Sequence, residues 1–301
     1  MAITLADFNK IWASTSPLTP YSFSESNYKQ GWNFIGSTPP ARQMWDFLQK
    51  NNDEKMQYLA NNYLPLSENV GYHNSVYRGR NLGTSVTAEQ YAETSAGTFR
   101  DMFIGDYWEI NHVSWRIAGF DYWYNTGDTN CTTHHVVIVP DIALVNCKMN
   151  NTNITTGAYV GSDYYTGNNS NTGRAETQTA INNAFGSAHI LSHRELLTNT
   201  VNGSGQTEGW AWYDSTFELM NESMVYGHGA WGSHQGYETG IDKGQLPLFA
   251  LEPSRITNRA FWWLRSVVSA THFALVHDRG SANYDSSSVY HGVRPVFAIK
   301  A

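Results

Sequence analysis

Several groups of residues in this 301-residue chain could do acid–base, metal or nucleophilic chemistry, and each is tested first by its spacing. His134 and His135 are two potential metal ligands, but neighbours on a strand point to opposite faces and cannot both reach one ion. Glu218 and Glu222 would share a face if their segment were helical; a solvated acidic face is the expectation. Asp278 and Asp285 are expected to contact a partner or water rather than to work as an acid–base pair. Gly203-Ser204-Gly205 lacks the surroundings of a nucleophile elbow. No glycine-rich piece sits between a strand and a helix as a phosphate or dinucleotide loop requires. Cys131 and Cys147 are the only cysteines, with no zinc-type spacing to histidine. They could pair, but free thiols are expected, as in a protein assembled in a reducing cytoplasm. No catalytic residue, metal or cofactor is therefore expected.

What remains is binding chemistry. Charged residues make up 15% of the chain, and aromatic residues 14%. Asn, Thr, Ser, Gly and Tyr must carry the surface, a mixture that combines adaptable hydrogen bonding with rigid aromatic contact. A formal net charge of -7 with no Lys/Arg run excludes general nucleic-acid binding, which needs a basic stripe. The start, Met1-Ala2-Ile3-Thr4-Leu5-Ala6-Asp7, has neither a basic segment nor an apolar run, so no signal peptide is expected. No apolar stretch is long enough to span a bilayer, and no membrane insertion is expected.

The elements that must position these side chains fall into two parts, 1–75 and 76–301. Thr15-Ser16-Pro17 and Thr19-Pro20 punctuate an extended arm. Pro39-Pro40 opens a helix over 41–63, ended by Leu64-Pro65-Leu66-Ser67. Trp45, Leu48, Met56, Leu59 and Tyr63 form a seam interrupted at Asn52. It fits either packing on the helix's own domain or a short oligomeric coiled coil. The stretch up to Gly83 reads as a linker. Beyond it the chain is β-rich. Tyr107-Trp108-Glu109-Ile110 and Val113-Ser114-Trp115-Arg116-Ile117 flank the turn pair Asn111-His112 as a hairpin. The run 135–139 is a buried strand before Pro140. Residues 174–185 form a helix stopped by Gly186, with Ala180, Ile181 and Ala184 on one face. Residues 217–220 fit strand or helix. Stretches 150–173 and 198–209 are long irregular loops. The fold class is α+β, a scaffold carrying loops rather than a simple sandwich.

The C-terminal segment carries the most information. Residues 261–265 and 292–299 read as two hydrophobic strands, each with one Arg that needs an acceptor if buried. Between them, 266–291 mixes Ser, Asn, Asp, His, Tyr and Arg without periodicity, as a loop pair would. Trp263-Leu264-Arg265 followed by Gly292-Val293-Arg294-Pro295 resembles the close of a C-type-lectin-like domain of the formylglycine-generating-enzyme type. More narrowly it is similar to the variable proteins of diversity-generating retroelements and related phage tail proteins. The likeness extends through Gly79-Arg80-Asn81-Leu82-Gly83, Ile104-Gly105-Asp106-Tyr107-Trp108 and the run 134–141. It also takes in Gly157-Ala158-Tyr159-Val160-Gly161-Ser162 and Pro247-Leu248-Phe249-Ala250-Leu251. Gly31-Trp32-Asn33-Phe34-Ile35-Gly36 resembles phage tail-fibre sequence.

The resemblance implies a C-type-lectin-like ligand-binding domain with a small helical N-terminal module for tail attachment or oligomerisation. It also implies diversification, in which template adenines are miscopied at Asn codons. Such codons cannot become Lys, Glu, Gln, Met or Trp, and 266–291 contains none of the five although Trp occurs 11 times in the chain. The positions expected to face the ligand are His272, His277, Asp278, Arg279, Ser281, Asn283, Asp285, Ser286, Ser288, Tyr290 and His291. Tyr290 and Arg279 are the candidate anchors. Phe273, Ala274, Val276, Gly280, Ala282 and Tyr284 are expected to hold the scaffold. The sequence departs from the enzymes of that fold, because no Cys follows Cys147, and from calcium-binding lectins, because their Glu-Pro-Asn and Gln-Pro-Asp loops are missing.

The expected function is non-enzymatic recognition of a bacterial surface protein or glycan by a phage tail protein. It would act on the virion, beside other tail proteins, as a homo-oligomer with a trimer favoured. A surface-modifying enzyme on the same fold and a purely structural tail protein are the alternatives. Sequencing many progeny copies of the gene tests the diversification reading: substitutions should cluster at the eleven positions, whereas an invariant 266–291 would count against it.

Overall fold

Twenty-two residues without proline or glycine, Arg42–Tyr63, form the longest helix, α2. A shorter helix, α1 (Glu25–Gln30), precedes it and starts where the Ser24 side chain accepts from the Asn27 amide. The computed structural model describes residues 23–63, 69–233 and 244–301; the expectations for 15–20 and 64–67 fall outside them. The chain divides into two units, Met1–Ser67 and Glu68–Ala301. Within the first, Phe23 packs on Phe47 at 5.1 Å and Trp32 on Trp45 at 4.9 Å between ring centroids. The predicted seam of α2 is left open, with Trp45, Met56 and Leu59 each about half exposed.

Residues 69–83, which read as a linker, are built into the second unit. The Asn74 side chain makes two hydrogen bonds to the Phe120 backbone, at 2.8 and 2.9 Å. His73, in the short helix α3 (Val70–His73), is buried against the Met102 carbonyl at 2.6 Å. Asp106, fully buried, accepts from the Arg78 guanidinium and the Arg80 amide. These partners lie more than twenty residues away, which is why a local reading takes the stretch for a linker. A capping box between Thr87 and Gln90 then opens α4 (Ala88–Ala96).

The second unit is mixed α+β. Its first sheet begins with β1 (Tyr107–Ile110) and β2 (Val113–Phe120). Asn111 and His112 both have positive φ, 53° and 63°, as a two-residue hairpin turn requires. The sheet continues through β3 (Val136–Pro140) to β12 (Pro295–Ile299) and β7 (Phe217–Leu219), in the order β1-β2-β3-β12-β7. Residues 217–220 thus resolve as strand. The second sheet is ordered β10-β9-β8-β11-β4. Its strands are β4 (Val145–Cys147), β8 (Trp262–Ser269), β9 (His272–Val276), β10 (Ala282–Ser286) and β11 (His291–Val293). A separate hairpin pairs β5 (His193–Val201) with β6 (Thr207–Ser215). The helices of this unit include α5 (Asp163–Thr166), α6 (Gly173–Phe185), α7 (Glu222–Tyr226) and α8 (Pro247–Leu251). The buried face of α6 is Gly173, Thr177, Ile181 and Phe185, with Ala180 and Ala184 only partly covered.

Strands β8, β9 and β11 of the second sheet are largely buried on both faces, whereas β10 at its edge is only partly covered. Trp262, Leu264, Ala274 and Val276 join a core shared with the first sheet. Trp263, Phe273 and Leu275 join a second core with Tyr159, Tyr164 and Leu197. Double burial removes the polar–apolar alternation that marks a half-exposed strand. The segment 266–291 is therefore a β-meander, not a pair of loops. The run 292–299 is likewise two strands rather than one. It breaks at Arg294, so that β11 lies in the second sheet and β12 in the first. The guanidinium of Arg294 is buried and donates to the carbonyls of Pro140, Arg255 and Ile256 at 2.7, 2.9 and 3.1 Å. It also lies over the Trp262 ring. Burial pulls its pKa down to about 10, still charged at neutral pH.

The other Arg, Arg265 in β8, meets Glu195 of β5 at 2.7 Å. Trp123 Nε1 donates to the same carboxylate at 2.8 Å, and His193 lies 3.3 Å from it. Glu195, Arg265 and His193 are all buried. This network ties the β5–β6 hairpin to the second sheet.

His135, fully buried, precedes β3. Its Nδ1 donates to the Thr133 carbonyl at 2.8 Å and its Nε2 accepts from the Trp123 amide at 3.0 Å. That pairing requires the neutral ring, and burial pulls its pKa from 6.5 down to about 4. Between those values the unfolded chain holds a proton that the folded one does not, so the group's contribution is lost as pH falls. The difference amounts to about 3 kcal/mol. Asp121, which burial pushes upward, works in the opposite sense nearer the carboxylate range. Urea unfolding at pH 7.5 and 4.5 should show a smaller pH dependence in His135→Gln than in the unsubstituted chain.

Candidate functional site

The exposed edge of the second sheet is β10. Backbone bonds from His277 to Ser281 and from Ser287 to Thr271 bracket its pairing with β9. Antiparallel alternation then turns the amides of Asn283 and Asp285 inward and those of Ala282, Tyr284 and Ser286 outward. Two of the three outward amides are occupied by the preceding side chain: Asn283 Oδ1 accepts from Tyr284 N at 2.9 Å, and Asp285 Oδ1 from Ser286 N at 2.7 Å. The Ala282 carbonyl accepts from Trp231 Nε1 at 3.2 Å.

Register divides the eleven expected positions. His272 and Ser286 oppose one another and share a face with Tyr284, while Asn283 and Asp285 share the other face with Phe273 and Leu275. His277, Asp278, Arg279 and Ser281 lie on the β9–β10 hairpin, where His277 Nδ1 is 2.5 Å from Asp278 Oδ1. Ser288 and Tyr290 lie in the turn from β10 to β11, and Tyr290 is 65% exposed. These positions do not converge on one patch.

Two of the expected contacts are committed to each other. His291 Nε2 is 2.8 Å from Asp285 Oδ2, and its ring packs on Trp263 at 4.7 Å and Phe261 at 5.4 Å. Asp285 is thus held by His291 and by its own strand, and neither side chain is presented freely to a ligand. Tyr284, expected to be scaffold, is exposed instead. It packs against Trp231 at 4.8 Å and His272 at 5.4 Å between ring centroids. Trp231 escaped notice in the sequence because it sits in a Gly- and His-rich stretch with no periodicity; an isolated Trp among such residues was the available signal.

Trp231 is held by a buried carboxylate. Glu222, at the start of α7, accepts from the backbone amides of Ala230, Trp231 and Gly232 at 2.9, 3.0 and 3.0 Å. Glu218, in β7, accepts from both Arg174 nitrogens at 2.9 Å, from Tyr159 at 2.8 Å and from Ser215 at 2.6 Å. The expected solvated acidic face is therefore wrong. Both carboxylates are buried, in different elements, and each is saturated by partners remote in sequence. The Glu218 carboxylate holds the Arg174 guanidinium above its ordinary range against the opposing effect of burial.

A cleft of about 130 Å³ lies between β4 and the start of α6, with Tyr290 at its wall. Gly173 lets α6 begin against β4: a Cβ there would come within 2.8 Å of the Cys147 Cβ and Sγ. Both cysteines are free thiols. Burial pushes Cys147 up to about 12 and Cys131 upward as well, so neither is an activated nucleophile at neutral pH. His134 and His135 both reach Asp121, the first by its ring and the second by its amide. No group of three His, Cys, Asp or Glu among the described residues is arranged to hold a metal. No described helix is long and apolar enough to cross a membrane.

Residues 171–301 are similar to a family described as a domain of unknown function (DUF6273). No curated protein and no solved structure matches the chain. The matched segment contains Glu195 with Arg265, Arg174 with Glu218, and Glu222 with its three amides, but not β1 to β4.

Glu222→Ala should free the three amides it holds. Hydrogen exchange at residues 230–232 should accelerate at least about tenfold, with a stability loss of about 1–3 kcal/mol in urea unfolding.

Proposed function

We propose that this chain is a non-catalytic recognition protein of a phage tail. On this reading its second unit is a C-type-lectin-like domain that reads a ligand on the bacterial surface. The observation that carries the recognition reading is the Trp231–Tyr284 pair. The two rings meet edge to face while remaining 47% and 39% exposed. Trp231 is anchored by its indole N–H and, through its backbone, by Glu222. Among the described residues of the second unit, Trp231, Tyr284, Val289 and Tyr290 are four of the eight exposed large hydrophobic side chains, and three of the four belong to the 266–291 meander. Aromatic side chains that are rigid before binding lose little entropy on contact and supply the anchors of many interfaces.

His272 and Ser286 flank Tyr284 and would supply adjustable polar contacts. The phage and bacterial-surface parts of the proposal rest on the sequence resemblance. The open seam of α2, with Trp45, Met56 and Leu59, supports self-association of the first unit, for which a trimer is the proposed state. Several copies on one particle would raise weak single-site binding by avidity.

The labelled chain, applied to a panel of intact bacterial strains, tests this reading. The double variant Trp231→Ala, Tyr284→Ala should bind its responsive strains at least about 30-fold more weakly, matching about 2 kcal/mol or more for a lost anchor. Its far-UV spectrum should be unchanged. Equal binding by both proteins, or catalytic turnover of a cell-wall substrate, would overturn the proposal.

A further inference from the structure

The cleft beside Tyr290 shares no residue with the Trp231–Tyr284 platform, and its lining has a distinct chemistry. We propose that it is a second binding site, which takes one uncharged sugar residue of a glycan. The assignment extends the recognition reading but rests on other side chains, so either can fail without the other.

The lining is polar and held in place before any ligand arrives. Asn171 bridges the two walls: its Nδ2 donates to the Lys148 carbonyl at 2.8 Å, and its Oδ1 accepts from the Gly173 amide at 3.1 Å. Asp163 accepts from Asn169 Nδ2 at 2.9 and 3.0 Å and from the Asn151 amide at 2.7 Å. Asn169 and Ser170 adopt positive φ, 51° and 59°, which folds this rim tightly. Glu176 accepts from the Thr172 hydroxyl at 2.5 Å. On the opposite side the Lys148 ammonium lies 5.2 Å from the centre of the Tyr290 ring, a cation–π contact that orients the ring.

Three features select the ligand class. A volume of about 130 Å³ suits a single ring, while the open mouth lets a chain continue outside. The second Glu176 oxygen, the remaining lone pairs of Asp163 and the donors of the Lys148 ammonium are left for ligand hydroxyls, and Tyr290 offers a flat wall for a ring's C–H face. Two carboxylates, Asp163 and Glu176, against the single Lys148 disfavour an anionic ligand.

The test is an NMR titration of the whole chain with methyl glucoside, N-acetylglucosamine and glucuronate at millimolar concentration. At least one neutral sugar should give saturable shifts at the amides of Lys148, Asn171 and Thr172. Tyr290→Ala, at an exposed position, should weaken that binding about tenfold or more, and Lys148→Ala should weaken it too. The double variant at Trp231 and Tyr284 should leave it unchanged. The proposal is overturned if neither neutral sugar shifts these amides, if the shifts survive Tyr290→Ala, or if glucuronate alone binds.

Discussion

Arg294 occupies the point where one strand run is divided between two sheets, and its burial sets the terms for everything around it. A guanidinium cannot be left without acceptors in an apolar interior, because an unpaired buried charge costs several kcal/mol. Here the acceptors are carbonyls at the end of β3 and at the adjacent Arg255 and Ile256, so satisfying one side chain ties two separate stretches of backbone to the strand break. The Trp262 ring beneath it belongs to β8, the central strand of the second sheet. The two sheets meet where this cation is held, and the meander from β8 to β10 follows from there.

The same principle recurs toward the periphery. Glu195 with Arg265 fastens the separate hairpin, Glu218 with Arg174 fastens α6, and Glu222 fastens the loop that carries Trp231. In each case a paired, buried carboxylate adds a polar tie to the segment, beside apolar contacts such as those of Ile181 and Phe185 in α6 and Leu197 in β5. This arrangement suits a chain with long stretches rich in Asn, Gly and Thr, which have few apolar side chains to anchor them. It also leaves those segments polar at their surfaces, where both candidate binding regions lie.

Elements governed by local chemistry were legible in the sequence. The Asn111-His112 hairpin, the strand before Pro140, α2 and α6 all announce themselves through alternation, punctuation and capping. Elements governed by distant partners were not. Residues 69–83 look like a linker because Asp106 and Phe120, which hold them, are far along the chain. Glu218 and Glu222 look solvated because their partners lie elsewhere in the fold. The first half of the meander 266–291 looks aperiodic because burial of β8 and β9 on both faces erases the two-residue rhythm, and its second half because β10 is a partly covered edge strand. The candidate site was legible in outline: the C-terminal segment does carry the exposed polar and aromatic residues. Its orientation was not, since Asp285 and His291 turn toward each other and Tyr284 turns out. That assignment depends on strand register, which composition cannot supply.

The occupied outward amides of β10 bear on how the molecule behaves when crowded. A bare sheet edge is a template on which a second chain can add a strand, and repeated addition leads to fibres. At β10 the side chains of Asn283 and Asp285 fill two of the donor positions that an incoming strand would need, and Trp231 covers the first acceptor. The edge is therefore partly insulated by its own side chains and by Trp231. Sequence change at 283 or 285 would alter colloidal behaviour, so solubility constrains these two positions apart from any role in binding.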